Sequence, residues 1–411
     1  MRQYKDSGIE WIGKIPDTWD IKRLKEIFVE RNNRDAKGKT LLSVSQYYGI
    51  KPKAETDIAD SHVAESYDDY KVVEKGDFVM NIMLAWNGSY AVSDYEGIVS
   101  PAYCVYQFRK DCCHKYLHYL LRTDGYQTAF KTMSRGIIDS RLRLYPEQFY
   151  TFNTIFPPVS EQQRIADYLD EKCGEVDSLI ALQEQMIEKL KDYKQSVITE
   201  AVTKGLDPNT KLVPSGIDWI GLIPERWKVC RFKSYIHLHN EKASETVDFK
   251  INLENIESKS GRYIPTNSKY EGEGTTFKKG DVLFGKLRPY LAKVYAPENE
   301  GSAIGDIYVF RPSSQIDTTF LKYTLLADTF VTIVDSSTYG TKMPRANWEF
   351  ISCVPIVVPS LSEQQAIASY LDEKCADLDR LIALKQQKIE KLKDYKKSVI
   401  YEAVTGKTDI I

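Results

Sequence analysis

Three arrangements in this 411-residue chain have residue types and spacings that chemistry uses. Asp170-Glu-Lys172 and Asp372-Glu-Lys374 match the acidic-x-Lys fragment of many nucleases, with Pro16-Asp17 as an upstream partner for the first. His114 and His118 stand one helical turn apart, as two ligands of a shared metal would, and Cys112-Cys113 adjoin them. Gly406-Lys-Thr408 ends like a phosphate-binding loop. Context removes each of them. The loop motif requires a glycine where Tyr401 stands. Both Asp-Glu-Lys triplets fall at the start of a long helix, where charge belongs on the solvated face. The histidine pair has no HExxH carboxylate and no counterpart in the second half of the chain, which points to solvated or capping roles. A glycine-rich dinucleotide loop, a GxSxG elbow and the Asn-Pro-Pro-aromatic motif of adenine methylation are all missing. The sequence predicts no catalytic residue, no metal and no cofactor.

What remains is the chemistry of recognition. Arginine and lysine on loops can grip phosphates or make paired hydrogen bonds to guanine. One such loop runs Ser134-Arg-Gly-Ile-Ile-Asp-Ser-Arg-Leu-Arg143, with Arg135, Arg141 and Arg143; its counterpart runs from Ser337 to Arg345, with Tyr339, Lys342 and Arg345. A second pair of segments, Leu84 to Ser89 and Gly285 to Tyr290, carries Lys286, Arg288 and Tyr290 as contact candidates, while Trp86 reads as core. Ser45 and Gln46, in Ser45-Gln-Tyr-Tyr48, can hydrogen-bond base edges or phosphates. The plain alternative for all of these is ordinary solvated loop polarity.

These loops have to be held by something, and the chain repeats its holder. Glu161 to Val202 reappears as Glu363 to Val404, with 31 of 42 positions identical. Ser7-Gly-Ile-Glu-Trp-Ile-Gly-Lys-Ile-Pro16 is echoed by Ser215-Gly-Ile-Asp-Trp-Ile-Gly-Leu-Ile-Pro224, whereas the stretches between share almost no identity. A frame that repeats around variable contents reads as a two-armed reader. The repeated segments predict long helices, each opened by a capping box, Ser160 with Gln163 and Ser362 with Gln365, and closed at Gly205 and Gly406. At about 1.5 Å per residue each would be roughly 63 Å long.

An apolar seam is expected through Ile165, Leu169, Val176, Leu179, Leu190, Tyr193 and Val197, interrupted by Lys172 and Gln183. The matching positions Leu371, Leu381, Leu392 and Val399 continue it in the second copy, where Lys374, Lys385 and Lys388 interrupt it. Two near-identical surfaces can meet isologously, so the reading is antiparallel pairing within the chain, with homodimerisation as the competitor.

Within the variable stretches a faint skeleton recurs. Lys75-Gly-Asp-Phe-Val-Met80 matches Lys279-Gly-Asp-Val-Leu-Phe284, Tyr116-Leu-His-Tyr119 matches Phe320-Leu-Lys-Tyr323, and Arg135-Gly136 matches Tyr339-Gly340. The order predicted for each is a Gly-Asp turn, a strand near 77–84, a strand near 103–109, a helix near 114–132, a loop, and a last strand near 152–156. The fold class is α+β: two α/β recognition domains separated by two long antiparallel coiled-coil helices, pseudo-two-fold and pseudo-circular.

Composition agrees. Apolar residues make up 42% and charged residues 28%, and the net charge of −2 argues against coating nucleic acid through bulk charge, though not against local basic surfaces. Seven cysteines form no disulfide framework or paired CxxC site. No apolar run is long enough to span a membrane and the first residues lack a signal-peptide core, so a cytoplasmic protein is expected.

The arrangement resembles the DNA-specificity subunits of type I restriction-modification systems over essentially the whole chain. The resemblance rests on the helix starts Pro158-Val-Ser-Glu-Gln162 and Pro359-Ser-Leu-Ser-Glu-Gln364, the paired LDEK and IEKLKDYKxS segments, and the Gly-x-x-Trp-Ile-Gly-x-Ile-Pro segments. It implies a non-catalytic subunit without a cofactor, whose two target recognition domains each read half of a split, asymmetric site in double-stranded DNA. It also implies two copies of an S-adenosylmethionine-dependent methylation subunit docked on the helices, and a restriction subunit that translocates DNA.

The implied layout is a leading segment at 1–16, recognition domain 1 at 17–158, the central helix at 159–204, and a linker with the repeated leading segment at 205–224. Recognition domain 2 at 225–360 and the C-terminal helix and tail at 361–411 complete it. The two termini are expected to approach each other, because Ser7 to Trp11 is the continuation that Thr405-Gly-Lys407 lacks. The competing reading is a two-armed protein-interaction scaffold, which would lack salt-sensitive binding to duplex DNA.

Overall fold

The structure, a computed structural model, describes residues 2–34, 38–46, 48–56, 67–109, 111–138, 141–244, 247–268, 270, 272–338 and 343–410. The chain divides into two compact units. The first comprises Met1–Leu182 with Lys388–Ile411, and the second Gln183–Gln387.

The first unit is built on a four-stranded antiparallel sheet in the order Phe28–Arg31, Tyr103–Phe108, Phe78–Asn81, Tyr90–Val92. The second repeats it as Ile236–His239, Ile307–Pro312, Val282–Gly285, Val294–Tyr295. Val79 lies opposite Val105 in one sheet and Leu283 opposite Val309 in the other, so the shared skeleton is one register written twice.

The Gly-Asp turns work through their carboxylates. Asp77 accepts from the Glu74 amide at 2.9 Å and Asp281 from the Lys278 amide at 3.0 Å. Each buried carboxylate is paired with an arginine, Asp77 with Arg31 and Asp281 with Arg311, from differently placed strands. Charge neutralisation is required at both turns because a buried carboxylate without a partner is costly.

The single helix expected near 114–132 is two, His114–Leu121 and Asp124–Met133, matched by Thr318–Leu326 and Asp328–Ser336. Short strands Asn153–Phe156 and Pro355–Val358, paired with Asp20–Arg23 and Lys228–Arg231, lead into long helices at Val159–Lys204 and Leu361–Val404.

The helix starts differ from expectation. Ser160 lies inside the first helix, and the capping partners in the second copy are Ser360 and Glu363, whose carboxylate accepts from the Ser360 hydroxyl at 2.6 Å and its amide at 3.0 Å. The function of the Ser-Glu-Gln-Gln motif lies in its buried first glutamine. Gln162 accepts from the Cys113 amide at 2.9 Å and donates to the Pro157 carbonyl at 2.8 Å. Gln364 does the same with the Asp317 amide at 2.8 Å and the Pro359 carbonyl at 3.0 Å. Each long helix is thereby locked to the start of its unit's helix pair.

The seam holds at Ile165, Leu169 and Val176, which are buried, and shifts by one residue toward the end of the helix, where Lys194 and Ile198 are buried in place of Tyr193 and Val197. Leu169 and Leu371 are buried, but Leu179 and Leu381 are 44% and 47% exposed, and Tyr193 and Lys388 face solvent as well. Leu190, Leu392, Val197 and Val399 are half-buried. The inward line instead runs through Gln183, Ile187, Lys194 and Ile198, with Ile389 as the repeat-equivalent of Ile187. Gln183 is already a polar interruption of the seam expected from the sequence, but Lys194 is not, because its charge gives no apolar signal. Pairing in the second unit is antiparallel: Gln183 accepts from Lys385 at 3.3 Å, and further along Lys194 reaches back to Asp379 at 2.8 Å.

In the first unit the leading segment packs on the end of the second long helix. Arg2 pairs with Asp409 at 3.2 Å and with Glu161, and the Tyr4 hydroxyl donates to the Gly406 carbonyl at 3.3 Å. Gly406, at φ +71°, abuts Pro16 and Trp19 so closely that a Cβ would collide. In the second unit Gly205, at φ +79°, lies beside Trp227 and Pro224 with more room, a Cβ there standing 3.1 Å from the Trp227 ring.

Candidate nucleic-acid interface

The structure brings together two segments that sequence reading had treated separately. In the first unit the loop after the helix pair is closed by reciprocal backbone bonds of 2.9 Å between Arg135 and Arg143, and the Leu144 amide then donates to the Ile82 carbonyl at 3.0 Å. In the second unit the equivalent bond joins the Ala346 amide to the Lys286 carbonyl at 2.8 Å, reinforced by Arg288 N–H to Pro344 at 2.8 Å. Both loops therefore lie beside the segment that follows the central strand, where one surface can present them together.

Side chains on this common scaffold differ. In the first unit Arg135 and Arg141 are exposed and have no partner among the described residues, while Arg143 is half-buried and donates to the Leu142 carbonyl at 2.8 Å. Ile137, between them, is 99% exposed. Trp86 is not core: it is half-buried, donates to the Met83 carbonyl at 3.1 Å, and carries the Lys131 ammonium 5.2 Å from its ring centroid. Its fully buried neighbour Ala85 takes the core position.

Ser45 and Gln46 stand where the strand Leu42–Ser45 turns toward Gly49–Pro52. The Gln46 carbonyl accepts from Arg122 at 2.6 Å, and the same guanidinium donates to Tyr90 at 2.6 Å and Gly88 at 3.2 Å. Arg122, which sequence reading passed over, thus ties this turn to the segment after the central strand. Burial lowers its pKa.

In the second unit Lys286, Arg288, Tyr290 and Arg345 share one neighbourhood. Residues Leu287 and Arg345 form a backbone bridge. Arg288 adopts φ 51°, and its exposed guanidinium has no partner among the described residues. Tyr290 is exposed. Arg345 is held by Asp306, another residue missed in the sequence, through Nε at 3.2 Å and Nη2 at 3.0 Å. Tyr339 and Lys342 lie outside the described residues.

The catalytic-looking patterns resolve into structural contacts. Asp170 pairs with Lys115 and accepts from the Tyr119 hydroxyl at 2.9 Å; Asp372 does the same with Lys322 at 3.0 Å and Tyr323 at 2.7 Å. His118 is enclosed, accepts from the Val92 amide at 3.3 Å, and is pushed down to about 3 by burial. His114 stacks on Phe108 at 3.9 Å between ring centroids.

A family model described as the type I restriction modification DNA specificity domain matches residues 16–192 and again 224–394. The chain belongs to this family. Among similar proteins, the type I restriction enzyme MjaVIII specificity subunit of Methanocaldococcus jannaschii is 24% identical over 99% of this chain and 97% of its own length. The EcoDI specificity subunit of Escherichia coli is 25% identical over 79% and 77%. The fold matches a chain from a structure of type I R-M complex assembly and conformational transition, at TM-score 0.71 and 18% identity over 96% and 99%. It also matches the HsdS subunit of Thermoanaerobacter tengcongensis, at TM-score 0.53 and 17% identity over 96% and 98%. The family's role is DNA sequence specificity, and its members are the non-catalytic subunits of type I restriction enzymes.

Proposed function

We propose that this chain reads an asymmetric, bipartite DNA site, one half-site word for each of the recognition domains 17–158 and 225–360. One observation carries the reading. The same hydrogen bond, Leu144 to Ile82 and Ala346 to Lys286, frames two loops whose side chains have almost nothing in common. Equal scaffolds with unequal contents suit two different words. Ser45, Gln46, Arg135, Arg141, Arg143, Lys286, Arg288, Tyr290 and Arg345 are the proposed contacts among the described residues.

The long helices are proposed to scaffold two copies of an S-adenosylmethionine-dependent methylation subunit and one restriction subunit. Support comes from a second apolar stripe facing solvent, Leu179, Leu182 and Tyr193, which recurs as Leu381, Leu384 and Tyr395. A surface present twice suits a partner bound twice. Closure of the leading segment on Gly406, matching Gly205 on Trp227, supports the pseudo-circular frame. No helix among the described residues is long and apolar enough to cross a membrane, in keeping with action on cytoplasmic DNA.

The test is methylome sequencing of a host expressing this chain with its methylation subunit, beside a control lacking the chain. A new motif with two unequal halves is expected. Absence of any new motif from an assembled complex would overturn the reading.

A further inference from the structure

Resting on that reading, we infer that Arg345 reads a guanine in the half-site of the second recognition domain, and that Asp306 is the positioning residue that aims it. Asp306 accepts from Arg345 Nε at 3.2 Å through both oxygens and from Nη2 at 3.0 Å, a side-on grip on the guanidinium. The outer edge of the fork, including Nη1, is left without a partner among the described residues.

Both ends of the grip are fixed. The Asp306 carbonyl accepts from the Lys286 amide at 2.9 Å, and the Lys286 carbonyl accepts from the Ala346 amide at 2.8 Å. The Tyr308 hydroxyl donates to the Ala346 carbonyl at 3.2 Å. Lys286 extends its ammonium to 3.7 Å from Asp306 and 5.2 Å from the Tyr308 ring.

A carboxylate in this place works against simple phosphate binding. It stands beside Lys286 and Arg345, whose charge would otherwise raise affinity for any duplex. What it supplies is orientation: a planar fork held on one edge presents its other edge with less conformational freedom to lose. The free edge then matches the paired O6 and N7 acceptors of guanine, a geometry that ammonium and phosphate contacts do not require.

The first unit carries no carboxylate at that position. At the position equivalent to Asp306, where the carbonyl accepts from the Ile82 amide at 3.2 Å, the residue is Ala102. A residue present on only one of two equal scaffolds is expected for a contact that belongs to one word and not to the other.

The experiment selects duplexes from a randomised library with the full chain and its methylation subunit, comparing wild type with Asp306→Asn, Arg345→Ala and Arg345→Lys. Arg345→Ala is expected to erase preference for G·C at one position of one half-site, a loss of about tenfold or more, leaving other positions intact. Arg345→Lys keeps the charge and should lose the same preference while retaining non-specific affinity. Asp306→Asn should weaken discrimination at that same position while non-specific binding stays equal or tightens, since a negative charge is gone.

Uniformly tighter binding by Asp306→Asn with every preference preserved would show that the carboxylate only trims charge, and would overturn the inference. So would an Arg345→Ala complex that keeps every preference. A wild-type complex with no sequence preference at all would overturn the underlying reading as well, and is distinguished from the other two by the wild-type arm.

Discussion

Lys194 donates to both carboxylate oxygens of Asp379, at 2.8 and 2.9 Å, and the repeat writes the same pair again as Lys396 with Asp177, at 2.7 Å to each oxygen. The chemistry is equal but the setting is not. Lys194 and Asp379 have side chains 7% and 20% exposed, against 29% and 58% for Lys396 and Asp177. Removing Lys194 leaves the enclosed Asp379 with only the more distant Arg262, at 3.8 Å, among the described residues, whereas solvent screens an open pair. Lys194→Met is therefore expected to destabilise the chain by about 1–3 kcal/mol. Lys396→Met should cost under about 1 kcal/mol. Thermal unfolding of the two variants checks the order, which equal losses would contradict.

The buried glutamines lead to a second expectation. Gln162→Leu leaves the Cys113 amide and the Pro157 carbonyl without their partner, at about 1–3 kcal/mol for each stranded group. Gln163, beside it, bonds only exposed Asp167 among the described residues, and Gln163→Leu should change stability by less than about 0.5 kcal/mol. Unfolding midpoints that fall together for both variants would disprove the locking role.

On the long helices, stability and assembly should separate. Leu179→Asp with Leu381→Asp alters only exposed positions, so the chain should stay folded while capture of the methylation subunit drops at least tenfold. Ile187→Asp with Ile389→Asp buries carboxylates and should unfold the helix pairing itself. Circular dichroism and co-purification read the two effects independently.

His118 ties stability to pH. Its folded pKa is lowered to about 3, below the usual histidine value, so the native state holds it neutral while the unfolded chain takes up a proton once pH falls below about 6.5. The stabilisation is complete above pH 6.5 and is lost progressively toward pH 3, at up to about 1.4 kcal/mol per unit. His118→Gln should flatten that part of the profile. An unchanged slope between pH 6.5 and 5 would rule His118 out as its source.

Much of the architecture was legible in the chain. The Gly-Asp turns, the strands that follow them and the long helices announce themselves through local patterns that recur, whereas the edge strands Phe28–Arg31 and Tyr90–Val92 do not, and Gln162 with Gln364 was visible as an identity whose meaning was not. The seam was misread at Leu179 and Leu381 because leucine was taken to mark the interior. Packing buries Lys194 instead, its ammonium satisfied by Asp379, in line with Gln183, which the sequence already sets in the seam and which Lys385 satisfies.

By itself, then, the sequence determined the repeated frame, the shared fold of its two variable parts and the loops that carry their cations, since all of these follow from local propensity and internal identity. Tertiary structure alone decided which segments stand together and which charges are held. Ile82 meets Leu144, and Arg345 meets Asp306 across 39 residues of chain. Neither pairing leaves a periodic or local signature, because each depends on how strands distant in sequence come to lie side by side.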